Sequence, residues 1–305
     1  MSNSSDDNGS NSGLVAGLIA YSLWGVFPIY FKLVAAVSPA EVLMHRIVWA
    51  VPFGALILLF RNQWPEVRRA LTHRSTVLWL SVSALLITVN WFIYIWAVIN
   101  ERIFETSLGY YINPLMYVLV GVLFFQERLR PLQIFAVVSA TIGVSVLAIS
   151  GGEFPWVALS LGALFTGYGV IRKRVAVGAM PGLFVETTLL LPFAIVPLVW
   201  LVYSSASAFA SGDTSLNFLL ILAGPVTVMP LLLFAIAARK VTLTTLGFMQ
   251  FLAPTLQFLT GVYYGELLTT AHIICFGLIW IAVALFSADA IRATKKPSME
   301  TPARA

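Results

Sequence analysis

The run Thr106–Arg130, TSLGYYINPLMYVLVGVLFFQERLR, returns in altered form as Thr244–Leu268, TTLGFMQFLAPTLQFLTGVYYGELL. Each reads as an apolar helix with Leu-Gly near one end, a proline at its middle and a glutamate near the other end. Proline removes a backbone donor and frees the carbonyl four residues earlier. Inside a bilayer such a carbonyl is tolerated where packed protein or a water-lined cavity can meet it. Two interrupted helices at corresponding places in one chain therefore point to a site between two repeated halves.

The surrounding composition places these helices in a membrane. Of 305 residues, 59% are hydrophobic and 10% charged, with a mean hydropathy of +0.91, whereas soluble domains carry about 25% charge. The net charge of +5 does not point to nucleic acid, because the basic residues lie in short loops between apolar runs. The lone cysteine, Cys275, excludes an internal disulfide and a multi-cysteine metal site. Met1–Ser12 is polar and lacks the basic start of a secretory signal. It is expected to be a disordered tail, as is the basic stretch 291–305.

Ten apolar runs are long enough to span: 13–33, 40–60, 75–97, 104–124, 131–150, 155–173, 181–203, 216–238, 243–264 and 270–290. With the N-terminus in the cytoplasm, 15 of the 18 Lys and Arg residues fall on the cytoplasmic side, as the positive-inside rule requires. Lys32 and Arg102 fall outside, and Arg46 alone stays within a span. Leu108-Gly109 answers Leu246-Gly247, Pro114 answers Pro254, Pro52-Phe53 answers Pro192-Phe193, and Trp24-Gly25 answers Thr166-Gly167, all at offsets of 138 to 142. The expected fold is therefore an all-α integral membrane protein of ten transmembrane helices in two inverted five-helix repeats, residues 13–150 and 151–290. Both termini are expected in the cytoplasm.

Polar residues inside the spans are the candidate site. Tyr110, Asn113, Pro114 and Tyr117 share one helix face, as do Gln250, Pro254 and Gln257. Span 3 adds Asn90 and Tyr94, and span 1 adds Trp24. Two readings stay open for these residues: lining of a substrate cavity, or polar contacts between packed helices. Arg46, preceded by His45, and Glu186 are intramembrane charges at an offset of 140. Each lies ~8–10 Å into its span from opposite sides, which leaves ~10–14 Å between them along the membrane normal. They are expected to serve as separate gates or coupling groups rather than as one ion pair, against the alternative that both are structural. Glu105 and Glu266 are expected to be solvated at outer helix ends, and Glu127 to be neutralised by Arg128 and Arg130. No HExxH, GxSxG or phosphate-cradling GxxxxGK[ST] motif occurs, so neither an enzyme nor a bound cofactor or metal is expected.

Several blocks carry a resemblance. NWFIYIWAVI from Asn90, ETSLGYYINPL from Glu105 and QERL from Gln126 resemble the RarD family of permeases, in the EamA branch of the drug/metabolite transporter superfamily. So do AYSLWGVFPIYFK from Ala20, EVLMHRIVWA from Glu41, GVIRKR from Gly169, ETTLLLPF from Glu186, TLGFMQFLAPT from Thr245 and FGLIWIAVALF from Phe276. The resemblance implies a multi-pass protein of the bacterial inner membrane that exports a small metabolite or drug. It supplies no agreed binding residues. The competing expectation is a non-transporting assembly partner, or a membrane enzyme without a recognisable motif. The expected partners are a small-molecule substrate and the lipid bilayer, with homodimerisation open.

Overall fold

The computed structural model describes residues 4–126, 129–150, 154–209, 211, 213–238, 240 and 249–295. Every regular element among them is helical. In chain order these are α1 (Ser4–Gly25), α2 (Phe27–Leu33), α3 (Pro39–Phe60), α4 (Trp64–Thr72), α5 (Arg74–Ile99) and α6 (Ile103–Phe125). There follow α7 (Pro131–Ser150), α8 (Trp156–Arg174), α9 (Ala179–Tyr203), α10 (Thr214–Ala238), α11 (Leu252–Tyr263) and α12 (Thr270–Lys295). Seven helical stretches are long and apolar enough to cross a membrane: Ser12–Leu33, Pro39–Phe60, Arg74–Ile99, Pro131–Ser150, Ala179–Tyr203, Thr214–Ala237 and Thr270–Asp289. Many of their large apolar side chains face outward, among them Phe60, Leu85, Phe193, Val196 and Trp200. Water would oppose that arrangement, and lipid does not.

The helix ends follow local chemistry. Pro28, at the second position of α2, leaves no donor for the Trp24 carbonyl, and the chain breaks at Val26 between α1 and α2. Ser38 caps α3 by accepting from the Glu41 N–H at 3.3 Å, with Pro39 in the first turn. Two elements differ from the sequence reading. α1 begins at Ser4, so the polar stretch expected as a tail supplies its first turns. The loop 61–74 contains the nine-residue helix α4, which buries Val67 and Ala70 and exposes Arg68 and Arg69.

The contacts divide the chain into two compact units. The first comprises Met1–Asn113 with Trp156–Leu267, and the second Pro114–Pro155 with Leu268–Ala305. In the first unit α3 packs on α9 and α10, α1 on α10 and α11, and α5 on α8 and α9. Small residues set the closest approaches: a Cβ at Gly224 would lie 2.4 Å from the Trp49 carbonyl oxygen, and one at Gly109 would lie 2.9 Å from that of Ala158. In the second unit α7 pairs with α12 through Gly143, which faces the Cys275 carbonyl, and Ser139, which donates to the Leu278 carbonyl at 2.9 Å. There Arg130 pairs with Asp289 at 3.2 Å.

Candidate functional site

Arg46 sits two turns into α3 and is 5% exposed. Its Nε donates to Thr227 Oγ1 of α10 at 2.7 Å, and the Thr227 hydroxyl in turn donates to the Ala223 carbonyl at 2.8 Å. The guanidinium lies over the Trp91 ring at 4.1 Å, with Phe27 and Phe31 at 5.7 and 5.8 Å. Such contacts stabilise a desolvated cation through the negative ring face. Among the described residues no carboxylate pairs with Arg46.

The aromatic wall continues through both halves of the first unit. Tyr94 of α5 stands between Phe31 and Tyr110, both at 5.8 Å, and Tyr110 meets Phe165 of α8 at 5.7 Å. The Tyr110 hydroxyl donates to Asn90 Oδ1 at 3.4 Å, and Asn90 Nδ2 donates to the Leu161 carbonyl at 3.1 Å. Asn113, one turn further along α6, is 1% exposed, and neither atom of its amide has a hydrogen-bond partner. Buried polar atoms are ordinarily satisfied, so this amide stands out in the wall. The next residue, Pro114, lies inside α6 and begins the second unit. Tyr117, expected on the same inward face, is exposed.

The twin region is built differently. Pro254 falls in the first turn of α11, where its missing donor costs no bond within that helix, and Gln250 and Phe251, directly before α11, form a turn next to helical Met249. Gln250 is half-buried in the turn before α11, and Thr244–Phe248 lies outside the described residues, as do Glu127 and Arg128. The Pro254 carbonyl accepts from the Ser107 hydroxyl at 2.7 Å, and Thr255 bonds Tyr111 at 2.6 Å. Buried Gln257 donates through Nε2 to the Trp24 carbonyl at 3.2 Å, the carbonyl that Pro28 leaves without a helical donor. Its Oε1 has no partner. The Trp24 ring packs against Tyr21 and Phe234 at 5.4 and 5.9 Å.

Glu186, in the second turn of α9, is fully buried. It accepts from the Ser83 hydroxyl of α5 and from the Tyr168 hydroxyl at 3.4 Å, while Arg172 Nε lies 3.7 Å away. Arg172 is one of the basic residues expected in the short cytoplasmic loops. It instead turns back from the end of α8 and also donates to the Gly178 carbonyl at 2.9 Å. Arg46 and Glu186 thus have separate partners.

Two further carboxylates tie loops to helix starts. Glu41, in the first turn of α3, accepts from the Ser207 hydroxyl at 2.6 Å and from the Ala208 and Phe209 N–H groups at 2.8 and 3.3 Å. Phe209 then packs on the His45 ring at 4.9 Å, and His45 Nδ1 accepts from Trp49 Nε1 at 3.2 Å. Glu66 of α4 accepts from the Gly178 N–H at the start of α9 at 2.6 Å.

The outer-end glutamates are likewise bound rather than merely solvated. Glu105 pairs with Arg102, whose guanidinium lies near Trp96 and Trp156. Gly265, at φ +75°, closes α11 with bonds from its own N–H to Val262 and from the Glu266 N–H to Gly261. That turn carries the Glu266 carboxylate onto the Ile103 and Phe104 N–H groups at 2.6 and 2.9 Å, capping α6. Partial burial pushes the Glu266 carboxyl above its ordinary range, offset by those two hydrogen bonds and by Lys32. Thr227, Ser83, Arg172, Glu41 and Glu66 were not singled out from the sequence. Their only signal there was a polar residue inside, or at the end of, an apolar run.

Comparisons with known proteins agree on the family. Residues 11–149 match the EamA-like transporter family. The chain is 45% identical over 288 residues to an uncharacterized transporter of Pseudomonas aeruginosa, covering 93% of this chain and 96% of that one. It is 42% identical over 292 residues to a Salmonella typhi protein named RarD, covering 95% and 99%, and 41% identical over 294 residues to the Escherichia coli protein of that name, covering 96% and 99%. One solved protein, known only as "Crystal structure of protein", superposes with a TM-score of 0.60 at 19% identity, over 92% of this chain and 99% of that one. At that identity the likeness is one of fold. A chain whose described elements are all helical, with seven long apolar stretches among the described residues and relatives of this kind matched over nearly their full length, is a multi-pass bacterial membrane protein, and it belongs to the RarD-type permeases of the EamA-like transporter family.

Proposed function

We propose that the chain is a secondary transporter of the inner membrane, built as ten spans in two inverted repeats, which exports a small metabolite or drug by alternating access. The observation that carries this reading is reciprocal pairing across the offset of about 140 residues. Arg46 on α3 is held by a hydroxyl of α10, and Glu186 on α9 by a hydroxyl of α5. The loop after α9 is bound by Glu41 at the start of α3, and the helix after α3 binds the start of α9 through Glu66. Packing of α1 on α10 likewise has its counterpart in α8 on α5. Two half-structures with interchangeable contacts give a natural basis for two states that open to opposite sides.

In this reading Trp24, Asn90, Tyr94, Tyr110, Asn113, Pro114, Gln250, Pro254 and Gln257 border the substrate path, and His45, Arg46 and Glu186 govern its two ends. Glu186 is the coupling group: taking up a proton weakens its hold on Arg172, and Arg172 is also bonded to the turn that begins α9. The test uses purified protein in liposomes loaded with pooled labelled metabolites, followed by counterflow at several pH values. A transported solute is expected, and Glu186→Gln is expected to flatten the pH profile while the protein stays folded. An unchanged profile removes Glu186 from the coupling.

A further inference from the structure

We infer that Arg46 seats the carboxylate of a singly charged organic acid with a flat apolar body. This deepens the transporter reading by naming the class of substrate. The first observation is that the guanidinium is buried and, among the described residues, uses one of its five donors, on Thr227. No carboxylate faces it among the described residues, although a buried charge left without an opposite charge or full hydrogen bonding is strongly disfavoured. Partly buried Arg172, at the end of α8, does have a carboxylate beside it in Glu186, at 3.7 Å. A planar carboxylate would complete Arg46 by two parallel N–H···O bonds from the free edge of the fork.

The second observation concerns what surrounds that edge. Trp91, Phe31 and Tyr94 form an apolar wall, and Tyr30 and Tyr110 stand close enough to interact with the Arg46 charge. The wall accepts a flat apolar body by ring contacts. The third is the unpartnered Asn113 amide one turn beyond Tyr110, which offers both a donor and an acceptor to a polar substituent. One guanidinium matches one negative charge. A phosphate dianion would need a second cation, and none accompanies Arg46 among the described residues.

The probe is benzoate, compared with benzamide, which has the same ring and shape without the charge. Binding is read on the detergent-purified full chain by thermal stabilisation and by titration of tryptophan fluorescence. Benzoate is expected to bind at least tenfold more tightly than benzamide. Arg46→Gln is expected to abolish that preference, and Arg46→Lys, which keeps the charge but loses the fork, to reduce it severalfold. Gly277→Ala, in a different unit, should leave it unchanged. Equal binding of benzoate and benzamide by the unaltered protein overturns the inference without need of any variant, and so does benzoate binding that survives Arg46→Gln. The two readings fail separately. A solute carried in counterflow that benzoate neither inhibits nor follows leaves the transporter standing and removes the seat. Benzoate binding that depends on Arg46 without any flux keeps the seat and removes transport.

Discussion

Arg172 and Glu186 show how a buried charge is held where water is absent. The carboxyl has a cation, a serine hydroxyl and a tyrosine hydroxyl around it, so removing one partner leaves the others with an incomplete set. Loss of one member of a buried pair typically costs 3–5 kcal/mol, whereas replacing both with residues of similar volume is often neutral. Arg172→Ala is accordingly expected to destabilise the protein by about 3 kcal/mol, with Glu186→Gln milder because the amide still accepts from Ser83. The double variant Arg172→Ala with Glu186→Gln should cost less than the sum of the two single variants. Denaturation of all three in detergent checks this, and strict additivity would show that the pair is not coupled. The charges themselves were legible in the sequence because Arg and Glu are rare inside apolar runs. Their partners were not, since Thr227 lies 181 residues from Arg46 and Ser83 lies 103 from Glu186. Chain periodicity carries no information about pairings at such separations.

At the scale of elements, close approach between helices decides where these residues stand. Gly224 lets α10 lie against the backbone of α3 at Trp49, one turn before Thr227 meets Arg46. A methyl group there meets a backbone carbonyl, which cannot rotate away, so the helices must part. Gly224→Ala is expected to cost about 1–3 kcal/mol as overpacking. Gly277→Ala in α12, where an added Cβ meets nothing within 4 Å, is expected to be neutral or to gain up to about 1 kcal/mol from helix propensity. Unfolding of both variants in mixed micelles separates the effects, and equal costs would mean that propensity rather than packing governs α10. Helix positions were legible from apolar runs, and most ends from proline. α4 was not, because WPEVRRALT is too short and too charged to stand out as a span, and its fold depends on burying Val67 and Ala70.

For the whole molecule, the proposed inverted arrangement makes a demand that a parallel duplication does not. The segments after α3 and after α9 would correspond in the repeat, yet inversion would put them on opposite sides of the membrane. Their sequences already differ in that sense: 61–74 carries Arg61, Arg68, Arg69 and Arg74, while 204–213 has no Lys or Arg and one acid, Asp213. Retention of basic loops in the cytoplasm therefore predicts 61–74 inside and 204–213 outside. Thr72 and Ser204 are exposed, and the single native thiol, Cys275, is buried in a different unit, so Cys275→Ala provides a clean background. In intact cells an impermeant maleimide is expected to label Ser204→Cys and to spare Thr72→Cys, and to label both after permeabilisation. An alkaline phosphatase fused at the C-terminus should be inactive, since ten spans return the chain to the side where it began. Labelling of both positions from one side would leave the reciprocal contacts of Glu41 and Glu66 without the symmetry that explains them. It would also remove the structural basis for a path that opens alternately at its two ends.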